Sequence, residues 1–239
     1  MNLLLLERDD FVGESRVRVE GRRAEHLRKV LRATVGSRVK LGVVNGELGS
    51  GELTRLEPGV AELDVHLDSS LSVPEPSPVV LAFAVCRPPT LAKVLTQATA
   101  MGVKRFEIFH CKRVEKSYWD SAAMEAASLR REMRLGLEQC VDTRLPLVTC
   151  HRRFRPFTED HLGVETPTPV RVADPSGDPA AGAPIAGAQT LVLGPEGGFI
   201  PFELERFREG GFELIGLGPR ILRVETAAVA LLAQQAMRR

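Results

Sequence analysis

Two glycine turns near the end of the chain gather the residue types best suited to chemistry. The first is Gly194-Pro195-Glu196-Gly197-Gly198; the second is Gly218-Pro219-Arg220, followed closely by Arg223, Glu225 and Thr226. Each turn closes a short apolar run, residues 190–193 and 212–217. Such runs predict strands of a parallel sheet, which binds ligands beyond the carboxyl ends of its strands. Glycine there permits a positive φ and removes the Cβ, so a flat ligand reaches main-chain N–H and C=O groups. Guanidinium groups beside the turns suit oxygen atoms that gain negative charge during a reaction. The plainer alternative is a pair of tight turns with no ligand.

The elements that must position these turns are legible around them. Between them, Pro201 opens a short helix with Leu204 and Phe207 on one face, and Gly210-Gly211 follows its end. After the second turn an Ala-rich helix over 226–237 is apolar nearly all round at its start, which predicts burial. Upstream, residues 79–85 form a continuous apolar run suited to a strand covered on both faces. A helix over 91–101 carries Leu91, Val94, Leu95 and Ala98 on one stripe and stops at Gly102, before a strand over 103–109. This β–loop–helix–β order predicts a parallel sheet in an α/β fold. Arg87 lies at the carboxyl end of the first of these strands; it is either a site residue or an exposed loop arginine. A long helix is expected over 119–140, with Arg130, Arg131 and Arg134 on it. A short strand over 147–150 precedes the basic run His151-Arg152-Arg153-Phe154-Arg155. A strand over 170–173 ends in Asp174-Pro175-Ser176-Gly177, and the Ala-, Gly- and Pro-rich residues 178–188 read as a loop.

The front of the chain has another character. Short strands are expected at 3–6 and 16–19, and a helix at 25–32 with Leu27, Val30 and Leu31 on its apolar face. Strands over 39–44 and 47–55 flank Asn45-Gly46, a strong hairpin signal. Residues 60–67 alternate Ala61, Leu63, Val65 and Leu67 against Glu62, Asp64 and His66. Short strands with turn signals predict a small β-barrel. Three prolines within 74–78 continue neither sheet nor helix. The expected division is a barrel over 1–70, a linker over 71–78 and an α/β domain over 79–239.

Composition narrows the class. At 44% hydrophobic and 26% charged residues, the 239-residue chain is an ordinary globular protein. No apolar run approaches the ~20 residues of a membrane span, and the leucines at 3–6 lack the basic lead of a signal peptide. The four cysteines form no C-x-x-C pair and the five histidines no metal-ligand spacing, so reduced thiols, a cytoplasmic location and no metal are expected. Net charge is only +1, yet residues 16–40 hold nine Arg and Lys against two Glu. Arg22, Arg23, Arg28, Lys29 and Arg32 sit at the centre of that run. It is either a phosphate-contact patch for RNA or a solvated face. Neither a G-x-G-x-x-G after a strand nor a G-x-x-x-x-G-K-[ST] occurs, against dinucleotide and P-loop chemistry.

GPEGGF at 194–199 followed by LGPRILRVETA at 217–227 resembles the RsmE family of 16S ribosomal RNA methyltransferases, and HLRKVLR with VGSRVKLGVVNGE at the front is similar to its amino-terminal pattern. The resemblance implies a carboxy-terminal trefoil-knotted (SPOUT) α/β domain and a PUA-like RNA-binding barrel. It implies methylation of uridine N3 from S-adenosylmethionine, and a homodimer acting on ribosomal RNA or the small subunit. It places the cofactor on Leu193, Gly194, Gly198, Leu217, Gly218, Pro219, Arg220, Ile221, Leu222 and Thr226, with the loop after 170–173 as a further wall. Thr226 is alternatively only a cap of the last helix. Catalytic candidates are Arg223, then Arg87, for the developing oxyanions; Glu225 either takes the N3 proton or pairs with an arginine.

Several family charges are missing. The K-x-x-E-L-G-V segment reads Gln97-Ala98-Thr99-Ala100-Met101-Gly102-Val103, Asp142 stands where an arginine is usual, and the start lacks its basic, aromatic-containing stretch. The losses fall on the expected RNA side, which identifies a divergent member. The competing class is a non-catalytic RNA-binding protein whose SPOUT-like domain is a dimerisation scaffold.

Overall fold

The computed structural model describes residues 2–179 and 185–236. Met1, the middle of the expected 178–188 loop (180–184), and Met237 at the expected end of the last helix lie outside the described residues. The chain forms two compact units, residues 1–75 with 134–145, and residues 76–133 with 146–239.

In the first unit β1 (Leu4–Leu6), β2 (Arg16–Glu20), β3 (Arg38–Val43), β4 (Leu48–Glu57) and β5 (Val60–Leu67) make one mixed sheet in the order β1-β3-β4-β5-β2. Where a barrel is expected there is this curled mixed sheet, with β1 parallel to β3 and the other pairs antiparallel. A register shift between Leu53 and Arg55 bends β4, as bulges do. Asn45 turns the β3–β4 hairpin at φ 56, a conformation asparagine tolerates. The opening leucines are continuous because both faces of β1 are covered. Leu4 and Leu6 join Val17, Val19, Leu41 and Leu63, whereas Leu3 and Leu5 join Leu48 and Leu137.

The expected helix at 25–32 is a single turn, α1 (Arg22–Glu25), running into a π turn over His26–Val30. Only Leu27 of the expected apolar face is buried; Val30 and Leu31 are exposed. The wider π turn rotates them off the core side, and Arg32 at φ 50 ends the element.

The second unit is a six-stranded sheet, β6 (Val79–Ala84), β7 (Arg105–Phe109), β8 (Leu147–His151), β9 (Val170–Asp178), β10 (Gln189–Leu193) and β11 (Glu213–Ile215). Its order is β11-β9-β10-β6-β7-β8 and every pairing is parallel. Every residue of β6 is buried, as its unbroken apolar run requires. Helix α2 (Pro88–Ala100) buries Leu91, Val94, Leu95 and Ala98. A fully buried Leu side chain contributes about 1.5–3 kcal/mol, and α2 packs on α6 (Val224–Ala236) at the end of the chain. That closing helix buries Val224, Ala228, Leu231 and Leu232, while Ala227, Val229, Ala230 and Ala233 stay half-exposed.

Helix α3 (Ala126–Cys140) starts seven residues later than expected. Ser121 Oγ donates to the Tyr118 carbonyl (2.7 Å) and Trp119 Nε1 to His110 Nδ1 (2.9 Å), which hold the preceding residues in short 3₁₀ turns. Residues 134–140 of α3 belong to the first unit. After β8 come a turn of helix, α4 (Phe154–Pro156), and a π turn over Phe157–His161. Helix α5 (Pro201–Glu209) lies where Pro201 and Gly210 bound it.

Beneath β7 and β8 a buried carboxylate is satisfied by three cationic or potentially cationic groups. Glu107 receives Arg105 Nε at 2.6 Å, and its Oε2 lies 2.7 Å from His151 Nε2 and 3.3 Å from His161 Nε2. Burial holds both His161 and His110 below the ordinary imidazole range. The unfolded chain therefore takes up protons that the folded chain refuses, so stability is present above about pH 6.5 and is lost as pH falls through the depressed folded values. The melting temperature should fall between pH 7 and pH 5, and His110→Gln should flatten that fall because the Nδ1 that accepts from Trp119 no longer titrates. A thermal-denaturation series against pH checks it; an equal slope in both proteins would contradict it.

Candidate active site

The connection after β10 runs back past β9 to reach β11, so loops from both directions converge on the carboxyl end of β9. This is the sheet position at which a crevice opens. A cavity of about 450 Å³ lies there, lined by Ala173–Ser176 within β9, Leu193–Phe199 at and after the end of β10, and Leu217, Gly218, Arg220, Ile221 and Leu222 after β11. That volume falls within the range of small-molecule sites.

Each wall has a local cause. Along β9 the pairing with β11 jumps from Val172↔Leu214 to Asp178↔Ile215, so residues 173–177 have no register partner in β11 and form one wall. Asp174 Oδ1 pins this wall by accepting from Ser176 N–H (2.9 Å) and Ser176 Oγ (2.6 Å). Gly177 is required at its base, because a Cβ would stand 2.5 Å from the backbone of Ile215. The expected strand over 212–217 is consequently shorter, ending at Ile215.

The first glycine turn is closed by Gly198 N–H to the Pro195 carbonyl (2.8 Å), with Gly198 at φ 69. Gly194 lies against the Phe199 ring, which an added Cβ would approach to 3.1 Å. Two neighbouring loops tie this turn down. Arg113 Nη1 donates to the Gly197 carbonyl (2.7 Å), and Glu196 Oε1 accepts the Arg87 backbone N–H (3.0 Å). In the second turn Gly218 has φ 92 and open space where its Cβ would be, and Ile221 is 89% exposed. Bare backbone and an uncovered apolar side chain therefore face one space.

Of the sequence-derived cofactor candidates, Leu193, Gly194, Gly198, Leu217, Gly218, Arg220, Ile221 and Leu222 line the cavity; Pro219 and Thr226 are not among its lining residues. Helix α6 begins at Val224, so Thr226 occupies its first turn and is not its cap. Arg223, exposed, immediately precedes the helix and its carbonyl accepts from Ala227 N–H. Glu225 pairs with Lys93 Nζ at 3.3 Å and not with an arginine. Its own backbone N–H, and then Lys93, hold its carboxyl below the ordinary range. Arg87 is exposed and hydrogen-bonds Tyr118, which raises its pKa further. Sequence reasoning missed Arg113, Phe199 and Ala227 as lining residues. The signal for Arg113 was its place after β7, since any carboxyl-end loop of a parallel sheet is a candidate wall.

In the first unit the basic run is largely neutralised. Arg22 meets buried Glu138 at 2.7 Å, and Arg28 and Lys29 share Glu25 at 3.0 and 2.7 Å. The Glu25 carboxyl is thereby held at about 2, chiefly by Arg28. Arg23 is mostly buried and forks onto both oxygens of Asp10 (2.6 and 2.7 Å). Arg32 is exposed. Asp142 is buried and accepts the Arg144 backbone N–H at 2.8 Å, so the acid serves its own loop.

The sequence pattern of the RNA methyltransferase domain matches residues 73–236. The chain belongs to the RNA methyltransferase domain family. It is 28% identical over 244 residues to ribosomal RNA small subunit methyltransferase E of Treponema pallidum (strain Nichols), covering 98% of this chain and 90% of that one. Its fold is similar to ribosomal RNA small subunit methyltransferase E from Neisseria gonorrhoeae bound to S-adenosyl methionine, with TM-score 0.73, 24% identity, and 100% and 97% of the two chains covered. It is also similar to a methyltransferase from Legionella pneumophila in complex with bound SAM, with TM-score 0.77, 18% identity, and 97% and 95% covered. The matched family segment contains every wall of the cavity.

Proposed function

We propose that this chain is an S-adenosylmethionine-dependent methyltransferase acting on N3 of a uridine in 16S ribosomal RNA. The observation that carries the reading is the cavity itself, with two glycine turns lining one space at the carboxyl edge of the sheet. Family membership and the relative named for small-subunit ribosomal RNA supply the substrate class.

The residues fit the cofactor. Gly198 and Gly218 leave main-chain groups open to an adenosyl moiety, Gly194 makes room for the Phe199 ring in the wall, and Leu217, Ile221 and Leu222 offer apolar surface for adenine. Bound S-adenosylmethionine supplies an electrophilic methyl group on a sulfonium. The chain must then hold N3 in line with that methyl, worth up to ~7–11 kcal/mol in well-aligned systems, and stabilise charge on the uracil oxygens as the N3 proton passes to water. Arg223 at the head of α6, with Arg220 in the wall, is suited to the second task. Arg87 orders the rim through its backbone bond to Glu196. Glu225, already stabilised as an anion, is a poor proton acceptor and serves to fix Lys93 and α6.

The same reading includes a trefoil knot in the carboxy-terminal fold, a PUA-like RNA-binding unit over 1–70, and a homodimer in the cytoplasm. The free thiols Cys86, Cys111, Cys140 and Cys150 support a reducing compartment, and no helix among the described residues is long and apolar enough to cross a membrane. Incubation with small ribosomal subunits and methyl-labelled cofactor, followed by nucleoside analysis, should yield 3-methyluridine. Label in another nucleoside would overturn the N3 assignment, and no label in RNA would overturn the activity.

A further inference from the structure

The basic run after β8 has no part in the cavity described above, and the structure gives it a groove of its own. A depression of about 610 Å³ is lined by Lys112, Arg152, Arg153, Arg155, Ile200 and Phe202, among others; its floor is almost wholly apolar, so its cations act at the rim. It shares its boundary with the cofactor cavity. Arg113 and Phe199 belong to the one and their chain neighbours Lys112 and Ile200 to the other. We propose that the basic rim of this groove holds the phosphates of the RNA strand that carries the target nucleotide, and this rests on the methyltransferase reading of the adjoining cavity.

Charge balance distinguishes this groove from the basic run of the first unit. There, Arg22, Arg23, Arg28 and Lys29 each meet a carboxylate within 3.0 Å. Here the acid in the wall, Glu203, is 2% exposed. Its two oxygens are taken by the backbone N–H groups of Lys112 (2.7 Å) and Ile200 (2.9 Å). Among the described residues Arg152 pairs with the exposed Asp120, at 3.5 Å. The aromatic contacts prepare the guanidiniums for an anion. Arg152 stands over the Trp119 ring at 5.3 Å, and Arg155 over Phe202 at 5.3 Å, with Arg206 also over Phe202 at 5.5 Å. Arg206 gives its N–H edge to Glu209, so Arg152 and Arg155 are the ring-supported cations whose edges can match phosphate oxygens in pairs. Phe202, 40% exposed, is engaged by Arg155 and Arg206 and is therefore a platform for them and not for a base.

Phosphate contacts on a single strand set the salt dependence of binding, with a slope of about −0.7 in log K against log salt for each one. The test is a fluorescence-anisotropy titration of a short labelled oligouridylate between about 50 and 200 mM salt, with unmutated chain, Lys112→Gln/Arg153→Gln/Arg155→Gln, and Arg208→Gln as an exposed arginine on α5 outside the groove. The triple variant should be shallower in slope by about two, with unchanged melting temperature and unchanged S-adenosylmethionine affinity, and a raised KM for ribosomal RNA at similar kcat. Arg208→Gln should match the unmutated chain. If the triple variant keeps the unmutated slope and KM, the groove is not the phosphate site. If the unmutated chain binds no S-adenosylmethionine, the methyltransferase reading fails, and the slope comparison still decides the groove. If the triple variant is misfolded by melting temperature, the single Arg153→Gln decides by the same slope, expected to fall by about 0.7.

Discussion

Gly218→Val is expected to weaken S-adenosylmethionine binding at least about 100-fold, roughly 2.7 kcal/mol. Gly218 has φ 92, a region that β-branched residues avoid at a cost of about 1–3 kcal/mol. No neighbour lies within 4 Å of where its Cβ would stand, so the fold does not expel the new methyl groups. They project from a wall of the cavity, or the 217–222 loop leaves the left-handed region and carries its main-chain groups away. Either response removes the surface an adenine would use. Gly211→Val separates binding from folding. Gly211 also has a positive φ, 75, and open space around it, but it is not among the residues lining this cavity. That variant should lower the melting temperature and leave affinity unchanged. Calorimetric titration of both variants reads the difference, and equal affinities would place the cofactor elsewhere.

Arg223→Ala should reduce kcat by about 10²–10³, the usual loss when one donor to a developing oxyanion is removed, while S-adenosylmethionine affinity stays within about twofold. The expected split between rate and cofactor binding follows from placement. Arg223 is exposed at the head of α6 and is not a lining residue of the cavity, whereas Leu222 and Val224 on either side of it are. Arg223→Lys should recover little, because a point charge does not reproduce the planar fork. Single-turnover methylation with saturating cofactor measures the effect, and a rate within threefold of the unmutated enzyme would remove Arg223 from the reacting centre.

The strongly periodic and punctuated parts of the second unit were legible in advance. The buried stripe of α2 and the ends of α5 follow from apolar spacing, Pro201 and Gly210, and both glycine turns lie at carboxyl ends of parallel strands. What sequence could not show depends on partners distant in the chain. The wall at 173–177 exists because β11 resumes its pairing at Asp178, a register that no local pattern encodes. The pairing of Glu225 with Lys93 depends on α2 and α6 meeting across 132 positions. Charge counting at residues 16–40 also leaves out distant partners, because the carboxylates that pair with Arg22 and Arg23 lie outside that window, at Glu138 and Asp10. The late start of α3 reflects side-chain bonds of Trp119 and Ser121 that outcompete a helical pattern.

The most direct test of the central claim is a titration of the full chain with S-adenosylmethionine, read by calorimetry and by melting temperature. One molecule should bind per chain. At ~100 times the dissociation constant the chain should be stabilised by about 2.7 kcal/mol, which at ~2–4 °C per kcal/mol for a chain of this size is a shift of roughly 5–11 °C. Absence of both heat and shift at millimolar cofactor would contradict the assignment of the glycine-walled cavity as a methyl-donor site.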